Sequence, residues 1–178
     1  QLPPVITNKG LKLKKKIASG GFATVYLASW TAQPNKDVAA KIIKLSQVSN
    51  FWVEKNLKNE LKIHRSLNHE NVVKVFEVVK TTTTAYIFME FAHKGSVADI
   101  LENTKKPMSE KVAKKYMKDI GKGLCHIHGL NIGHRDVKPE NFLVDSNDKA
   151  MLGDFGFACV AENGQSKLLK GTACGTDQ

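Results

Sequence analysis

The sequence is poor in cysteine, in long apolar runs and in aromatic residues, and each scarcity removes a class of protein. Its three cysteines, Cys125, Cys159 and Cys174, are an odd number with no C-x-x-C pair, which argues against a disulfide framework and against a cysteine-built zinc site. An intracellular, cytoplasmic compartment is therefore expected. No apolar run exceeds a few residues, and the opening QLPPVITNKG lacks a basic, then apolar, then small-residue order, so neither a signal peptide nor a membrane span is expected. Aromatics make up 7% of the chain and do not interleave with a basic stripe, so nucleic acid is not an expected partner despite a net charge of +10. Acidic residues are scarce in one half only: residues 1–80 hold 14 Lys/Arg against 5 Asp/Glu, and residues 81–178 hold 13 against 12. Part of that excess is KLKKK at 12–16, where Lys12, Lys14 and Lys16 alternate with Leu11, Leu13 and Ile17. The run reads as a solvated strand face, with a phosphate- or partner-binding surface as the alternative.

What is present fits one average domain or a piece of a larger one: 178 residues, 42% hydrophobic and 25% charged. The first residue is Gln rather than Met, so the chain reads as cut at its front. Alternation and β-branched residues predict strands over 11–18, 23–30 and 37–44, with TAQPNKD as the turn between the last two. VSNFWVEKNLKNELKIHRSLN places Val53, Leu57 and Leu61 on one stripe with Ile63 and Leu67 offset, a helix ending before NHEN. VVKVFEVVK and AYIFMEFA are two further strands joined by TTTT. The order β-β-β-α-β-β predicts an α+β sheet with one helix packed on it.

After AHKGS the character turns helical. Ser109 caps a helix on which Val112, Tyr116, Ile120, Leu124 and Ile127 form one buried stripe, and Gly129 is its stop. NFLVD and KAMLGD are short strands around the turn SND. A β-rich lobe and a helical lobe are expected to meet near residues 90–96, with no repeats and no low-complexity linker.

Chemistry concentrates in three places. IASGGFATVYL, at 17–27, is a hairpin signal whose Ala18, Gly20, Ala23 and Val25 fall on the pattern G-x-G-x-x-G-x-V of a phosphate-covering loop. Two of the three glycines are alanine, so by itself it reads as a turn. GHRDVKPENFLVD, at 133–145, packs His134, Arg135, Asp136, Lys138, Pro139, Glu140 and Asn141 into one loop, and Asp154 follows in LGDFGFA. Upstream stand Val38-Ala39-Ala40-Lys41 and Glu60. Taken singly, Lys41 reads as a snorkelling surface lysine, Glu60 as a helix-surface carboxylate, and Asp136 and Asn141 as loop caps. Jointly, in this order, they form no chance pattern.

From about Leu11 to its last residue the sequence resembles the eukaryotic protein kinase family. The resemblance implies an α+β, bilobal fold with a complete β-rich N-lobe (about 11–90), a hinge (91–96) and a truncated helical C-lobe (97–178), so that 1–178 is a partial kinase domain. It implies ATP and Mg²⁺ as cofactors and a protein Ser/Thr hydroxyl as acceptor, Lys138 being the serine/threonine form of the loop. In the family's scheme Lys41 holds the α- and β-phosphates and Glu60 orients it. Asn141 and Asp154 ligate Mg²⁺, Asp136 takes the substrate proton, and Lys138 steadies the γ-phosphate. Ile17, Ala18, Ser19, Gly20, Gly21, Phe22, Ala23, Thr24 and Val25 form the lid. Val25, Ala39 and Leu143 sandwich adenine, Met89 is the gatekeeper, and Glu90, Phe91 and Ala92 supply hinge backbone. Ser96 stands where some relatives place an acid toward the ribose.

Thr172, in LLKGTACGTDQ, falls at an activation-loop phosphosite served by an upstream kinase, and Thr176 where a contact to Asp136 and Lys138 is expected. DFGFA and the C-G-T ending lean toward the calcium/calmodulin-dependent and testis-specific serine kinase branch. Three departures stand out: Ala18 and Ala23 in place of glycine, His64 in place of a stacked apolar residue, and an end before A-P-E. The last makes the 178 residues alone an expected inactive fragment. The alternatives are a pseudokinase or scaffold that binds nucleotide without transfer, and a small-molecule kinase. Lys41, Glu60, Asp136, Asn141 and Asp154 all being present weighs against the first, and Lys138-Pro139-Glu140 against the second.

Overall fold

A computed structural model describes residues 2–20, 23–47 and 57–161, apart from the side chains at 35, 47 and 58–60. The chain clusters into two units, one of Gln1–Glu54 with Val75–Phe91 and one of Lys55–Lys74 with Ala92–Gln178.

The first unit opens with the single helical turn α1 (Pro4–Thr7) and continues as an antiparallel sheet of β1 (Leu11–Ser19), β2 (Ala23–Trp30), β3 (Gln33–Lys44), β4 (Val75–Lys80) and β5 (Thr84–Glu90), in the order β1-β2-β3-β5-β4. Register sorts its side chains. Tyr26 pairs with Ala40, Ala28 with Val38, and Ala40 with Phe88, so these residues share one face. There they form a core with Ile6, Leu11, Val79 and Tyr86, each fully buried aliphatic or aromatic side chain contributing about 1.5–3 kcal/mol. Val25 pairs with Lys41 and Ala39 with Met89, which puts Val25, Ala39, Lys41 and Met89 on the other face.

β3 starts at Gln33, four residues before the expected strand. Only Thr31 and Ala32 turn, because the register slips between Ser29 and Trp30 so that Trp30 faces Gln33. Pro34, which has no N–H to give a ladder, is thereby carried inside the strand.

The second unit is built on α2 (Lys58–Ser66), α3 (Val97–Thr104) and α4 (Glu110–Gly129), with the short pair β6 (Ile132–Gly133) and β9 (Cys159–Val160) and the hairpin β7 (Phe142–Val144) and β8 (Ala150–Leu152). The expected start of the α2 helix, including Val53, lies outside the described residues. The predicted stripe of α4 is observed: Tyr116, Ile120 and Ile127 are buried, and Val112 and Leu124 pack against the same core as Phe142, Val144, Leu152 and Phe155. Ser109 caps α4 by accepting from the Val112 N–H. Gly123 lets the helix approach the loop before β4, since a Cβ there would stand 2.5 Å from the Asn71 carbonyl.

A polar knot ties the β7–β8 turn to α4. Tyr116 Oη donates to Asp148 Oδ1 at 2.7 Å, Lys94 Nζ donates to the same oxygen at 2.8 Å, and Lys115 Nζ donates to the Asp148 carbonyl. The hydrogen bonds from Lys94 and then Tyr116 hold the Asp148 carboxyl down to about 2. Burial, followed by the bond to Asp148, pushes the Tyr116 phenol up to about 12. Among the described residues no helix is long and apolar enough to cross a membrane.

Candidate active site

Within the second unit, the 133–145 loop folds back on itself around Asp136. Lys138 Nζ lies 3.1 Å from Asp136 Oδ2, and Asn141 Nδ2 donates to the same oxygen at 2.9 Å and to the Asp136 carbonyl at 2.8 Å. A 3₁₀ turn, Pro139–Asn141, makes this possible. Pro139 starts it with its fixed φ, and the Asn141 N–H returns to the Lys138 carbonyl at 2.9 Å. Asp136 is only 7% exposed, a burial an anion sustains only with donors around it. The predicted trio Asp136, Lys138 and Asn141 is thus brought together in space.

Asp154 reaches the same neighbourhood through its preceding residue. Gly153 N donates to the Asn141 carbonyl at 2.9 Å, and the Gly153 carbonyl accepts from His134 Nε2 at 2.8 Å. The Asp136 N–H points at His134 Nδ1 at 3.3 Å, so Nδ1 must be the acceptor and Nε2 the protonated nitrogen. Burial lowers the His134 pKa, against the pull of its bond to Gly153 and of Asp154 and Asp136. A neutral imidazole therefore bridges the two acid-bearing loops. This role of His134 has no composition or spacing signal beyond its place in the motif.

Backbone strain falls on the same two loops. Arg135 has φ +67° and Asp154 φ +52°, a conformation costing a residue with a Cβ of order 1 kcal/mol or more. Arg135 is held there by its Nε donating to the Phe157 carbonyl at 2.6 Å. Asp154 is exposed, and its Oδ1 accepts from the Gly156 N–H at 3.3 Å. Beneath it Phe155 is fully buried between two imidazoles, its ring 4.5 Å from that of His64 and 4.9 Å from that of His134. His64 is itself buried, with Nε2 2.7 Å from the Val73 carbonyl. It packs and hydrogen-bonds at once, which an apolar residue there would not do.

The remaining site residues are distributed as follows. In the first unit Val25, Ala39, Lys41 and Met89 line one sheet face; Ala39 is buried and the other three are half-buried. Ile17, Ala18 and Ser19 end β1, Gly20 follows it, and Ala23 and Thr24 begin β2. Ala18 pairs with Val25 directly after a register shift in β1, and Ala23 pairs with Ile43 in an unshifted stretch; neither alanine has positive φ. Glu90 closes β5, Phe91 follows it, and Ala92 is buried in the second unit. Leu143 pairs with Met151 and bridges to Ser96.

Ser96 is committed elsewhere: its hydroxyl accepts from the Asp99 N–H at 3.0 Å and its own N–H donates to Asp99 Oδ2 at 2.8 Å, a capping box that starts α3, and the hydroxyl also donates to Asp99 Oδ2 at 2.7 Å. Gly21, Phe22, Thr172 and Thr176 lie outside the described residues. So does the side chain of Glu60, which leaves its pairing with Lys41 undescribed.

Residues 11–178 match the family model of the protein kinase domain. The chain belongs to the protein kinase family. Similar proteins include CBL-interacting serine/threonine-protein kinase 12 of Arabidopsis thaliana, 33% identical over 93% of this chain and 33% of that protein. Aurora/IPL1-related protein kinase 2 of Caenorhabditis elegans is 34% identical over 93% of this chain and 54% of its own length. The kinase chain thus spans between a third and about half of these relatives. Similarity to both puts it among the eukaryotic serine/threonine protein kinases without tying it to one branch. Its α+β architecture, with a β-rich sheet unit and a helical unit, is that of a truncated kinase fold.

Proposed function

We propose that this domain transfers the γ-phosphoryl group of Mg-ATP to Ser or Thr hydroxyls of a protein, with Asp136 as the base. The observation that carries the reading is the buried Asp136 carboxylate held by Lys138 and Asn141. A carboxylate fixed in one orientation suits the removal of a hydroxyl proton, and Lys138 beside it suits an acceptor that gathers negative charge.

The two units act as the kinase lobes, with 91–96 as the hinge. The sheet face bearing Val25, Ala39 and Met89 receives adenine, together with Leu143 and the backbone of Glu90, Phe91 and Ala92. The 17–25 hairpin covers the phosphates, and Lys41, oriented by Glu60, binds the α and β groups. Asn141 and Asp154 offer hard oxygens for Mg²⁺, which neutralises phosphate charge when bound. A hard cation held by this pair would take its remaining ligands from phosphate and water. Ser96 does not reach the ribose in this reading, because its hydroxyl serves the α3 cap.

Regulation follows from Arg135 and Thr172. Phosphate placed on Thr172 by an upstream kinase supplies the counter-charge that the Arg135 guanidinium seeks, and Thr176 contacts Asp136 and Lys138. The site chemistry points to transfer rather than to a nucleotide-binding scaffold. Mg-dependent transfer from ATP to a Ser/Thr protein substrate by the full-length protein tests the reading. Nucleotide binding without any transfer, with Thr172 phosphorylated, would instead select the pseudokinase.

A further inference from the structure

The kinase family match begins at residue 11, yet Ile6, five residues before it, is fully buried. Pro3 and Pro4 start α1, in which the Ile6 and Thr7 N–H groups both return to the Pro3 carbonyl. Leu2 precedes that turn and Ile6 lies within it. Both join the cluster of Leu11, Ala28, Val38, Ala40, Tyr86 and Phe88. This is the sheet face opposite the one that bears Val25, Ala39 and Lys41.

The segment is also tied down at its far end by polar contacts to separate strands. Trp30 Nε1 donates to the Lys9 carbonyl at 2.9 Å, and the Thr31 N–H donates to the Gly10 carbonyl at 3.2 Å. Lys9 Nζ pairs with Glu77 Oε2, on β4, at 2.9 Å. Gly10 turns the chain into β1 at φ +75°, where a Cβ would overlap Thr31 Oγ1. An apolar tail resting on a sheet needs no such geometry. This one uses a proline start, a buried anchor, an indole donor and a required glycine.

We infer that Leu2–Gly10 is a strap docked in cis on the sheet: an interaction surface outside the span of the family match whose occupant is the chain's own leading segment. By clamping β2, β3 and β4 from behind, it holds the strands that carry Val25, Ala39 and Lys41 on their other face. That second part rests on the proposed nucleotide reading; the docking itself does not.

Hydrogen exchange and nucleotide titration of the full-length protein test both parts. In the unmodified protein the Ile6, Thr7 and Asn8 amides are expected to be protected, and exchange at the rate of an unstructured chain would overturn the strap. Ile6→Ala, which keeps the turn and removes the anchor, is expected to speed exchange of those amides and of β1 and β4 by about tenfold. It is also expected to weaken binding of a non-hydrolysable Mg-ATP analogue by about threefold or more. Unchanged exchange in Ile6→Ala overturns the docking. Faster exchange with unchanged analogue binding overturns the clamp while leaving the docking. Failure of the unmodified protein to bind the analogue would count against the nucleotide reading and not against the strap, whose exchange signature is independent of it.

Discussion

Two glycines two residues apart on α4 should respond to alanine with opposite signs. In a helix interior Gly→Ala ordinarily stabilises by about 1 kcal/mol, because alanine has less backbone freedom to lose. At Gly121 an added methyl would meet nothing within 4 Å, so Gly121→Ala should follow that rule and gain up to about 1 kcal/mol. At Gly123 the methyl would meet the Asn71 carbonyl oxygen at 2.5 Å, a backbone atom that cannot swing away. That carbonyl also accepts the Leu152 N–H at 2.9 Å, while Asn71 Nδ2 donates to the Ala150 carbonyl at 2.9 Å. Moving it by several tenths of an ångström strains or breaks the tie to β8, at about 1–3 kcal/mol for a buried group left unsatisfied and a similar amount for overpacking. The clash outweighs the propensity gain, so Gly123→Ala should destabilise by about 1–4 kcal/mol. Chemical denaturation of the full-length protein measures both. Gly123→Ala as stable as Gly121→Ala would refute the close approach of α4 to the Asn71 loop. Because β8 leads directly into Gly153 and Asp154, the same variant should also lower phosphoryl transfer more than its stability loss accounts for.

Three further outcomes are expected. Asp148 has a depressed carboxyl pKa, about 2 against 3.8, so its contribution is present above pH 4 and is lost as the pH falls toward 2. Asp148→Asn should flatten that part of an acid denaturation curve, by no more than about 1 kcal/mol because the side chain is 38% exposed, and an unchanged curve would contradict the knot. Ala23→Gly should alter ATP affinity by less than about tenfold, roughly 1.4 kcal/mol, since Ala23 sits in regular strand backbone; a hundredfold change by titration would show that the methyl matters to the lid. Thr172→Ala in the full-length protein should lower activity after exposure to an activating kinase, and equal activity would remove Thr172 as the switch.

Periodicity made much of the fold legible. The buried stripe Tyr116, Ile120 and Ile127 and the face of 23–30 that carries Tyr26 and Ala28 are retained in the structure, because burial of one face is what those patterns encode. The alternation over 11–18 is not, since two register shifts in β1 break it and leave Leu11 buried but Ile17 exposed. The start of β3 at Gln33 was not legible, since Pro34 and Asn35 carry turn chemistry and only the slipped pairing of Trp30 makes them strand. α3 was legible only as a turn to helical character after AHKGS; its eight residues are too few for a period to set its bounds. The loop around Asp136 was legible as a motif, but its geometry was not. That His134 is a neutral bridge from the Asp136 N–H to the Gly153 carbonyl depends on two loops 19 residues apart meeting, and such contacts leave no local pattern. His64 stood out in the sequence only as a departure from a stacked apolar residue, and its reach to the Val73 carbonyl could not be foreseen from the helix alone.

The most direct test compares the full-length protein with its Asp136→Asn variant in Mg-ATP-dependent phosphate incorporation into protein Ser/Thr. Asparagine keeps the shape and the neighbours Lys138 and Asn141 while removing the proton acceptor. Incorporation should fall by about 10²–10⁴-fold, the range of a lost general base, with binding of a non-hydrolysable ATP analogue retained. Incorporation unchanged by the substitution would contradict Asp136 as the base and, with it, the reading of this site.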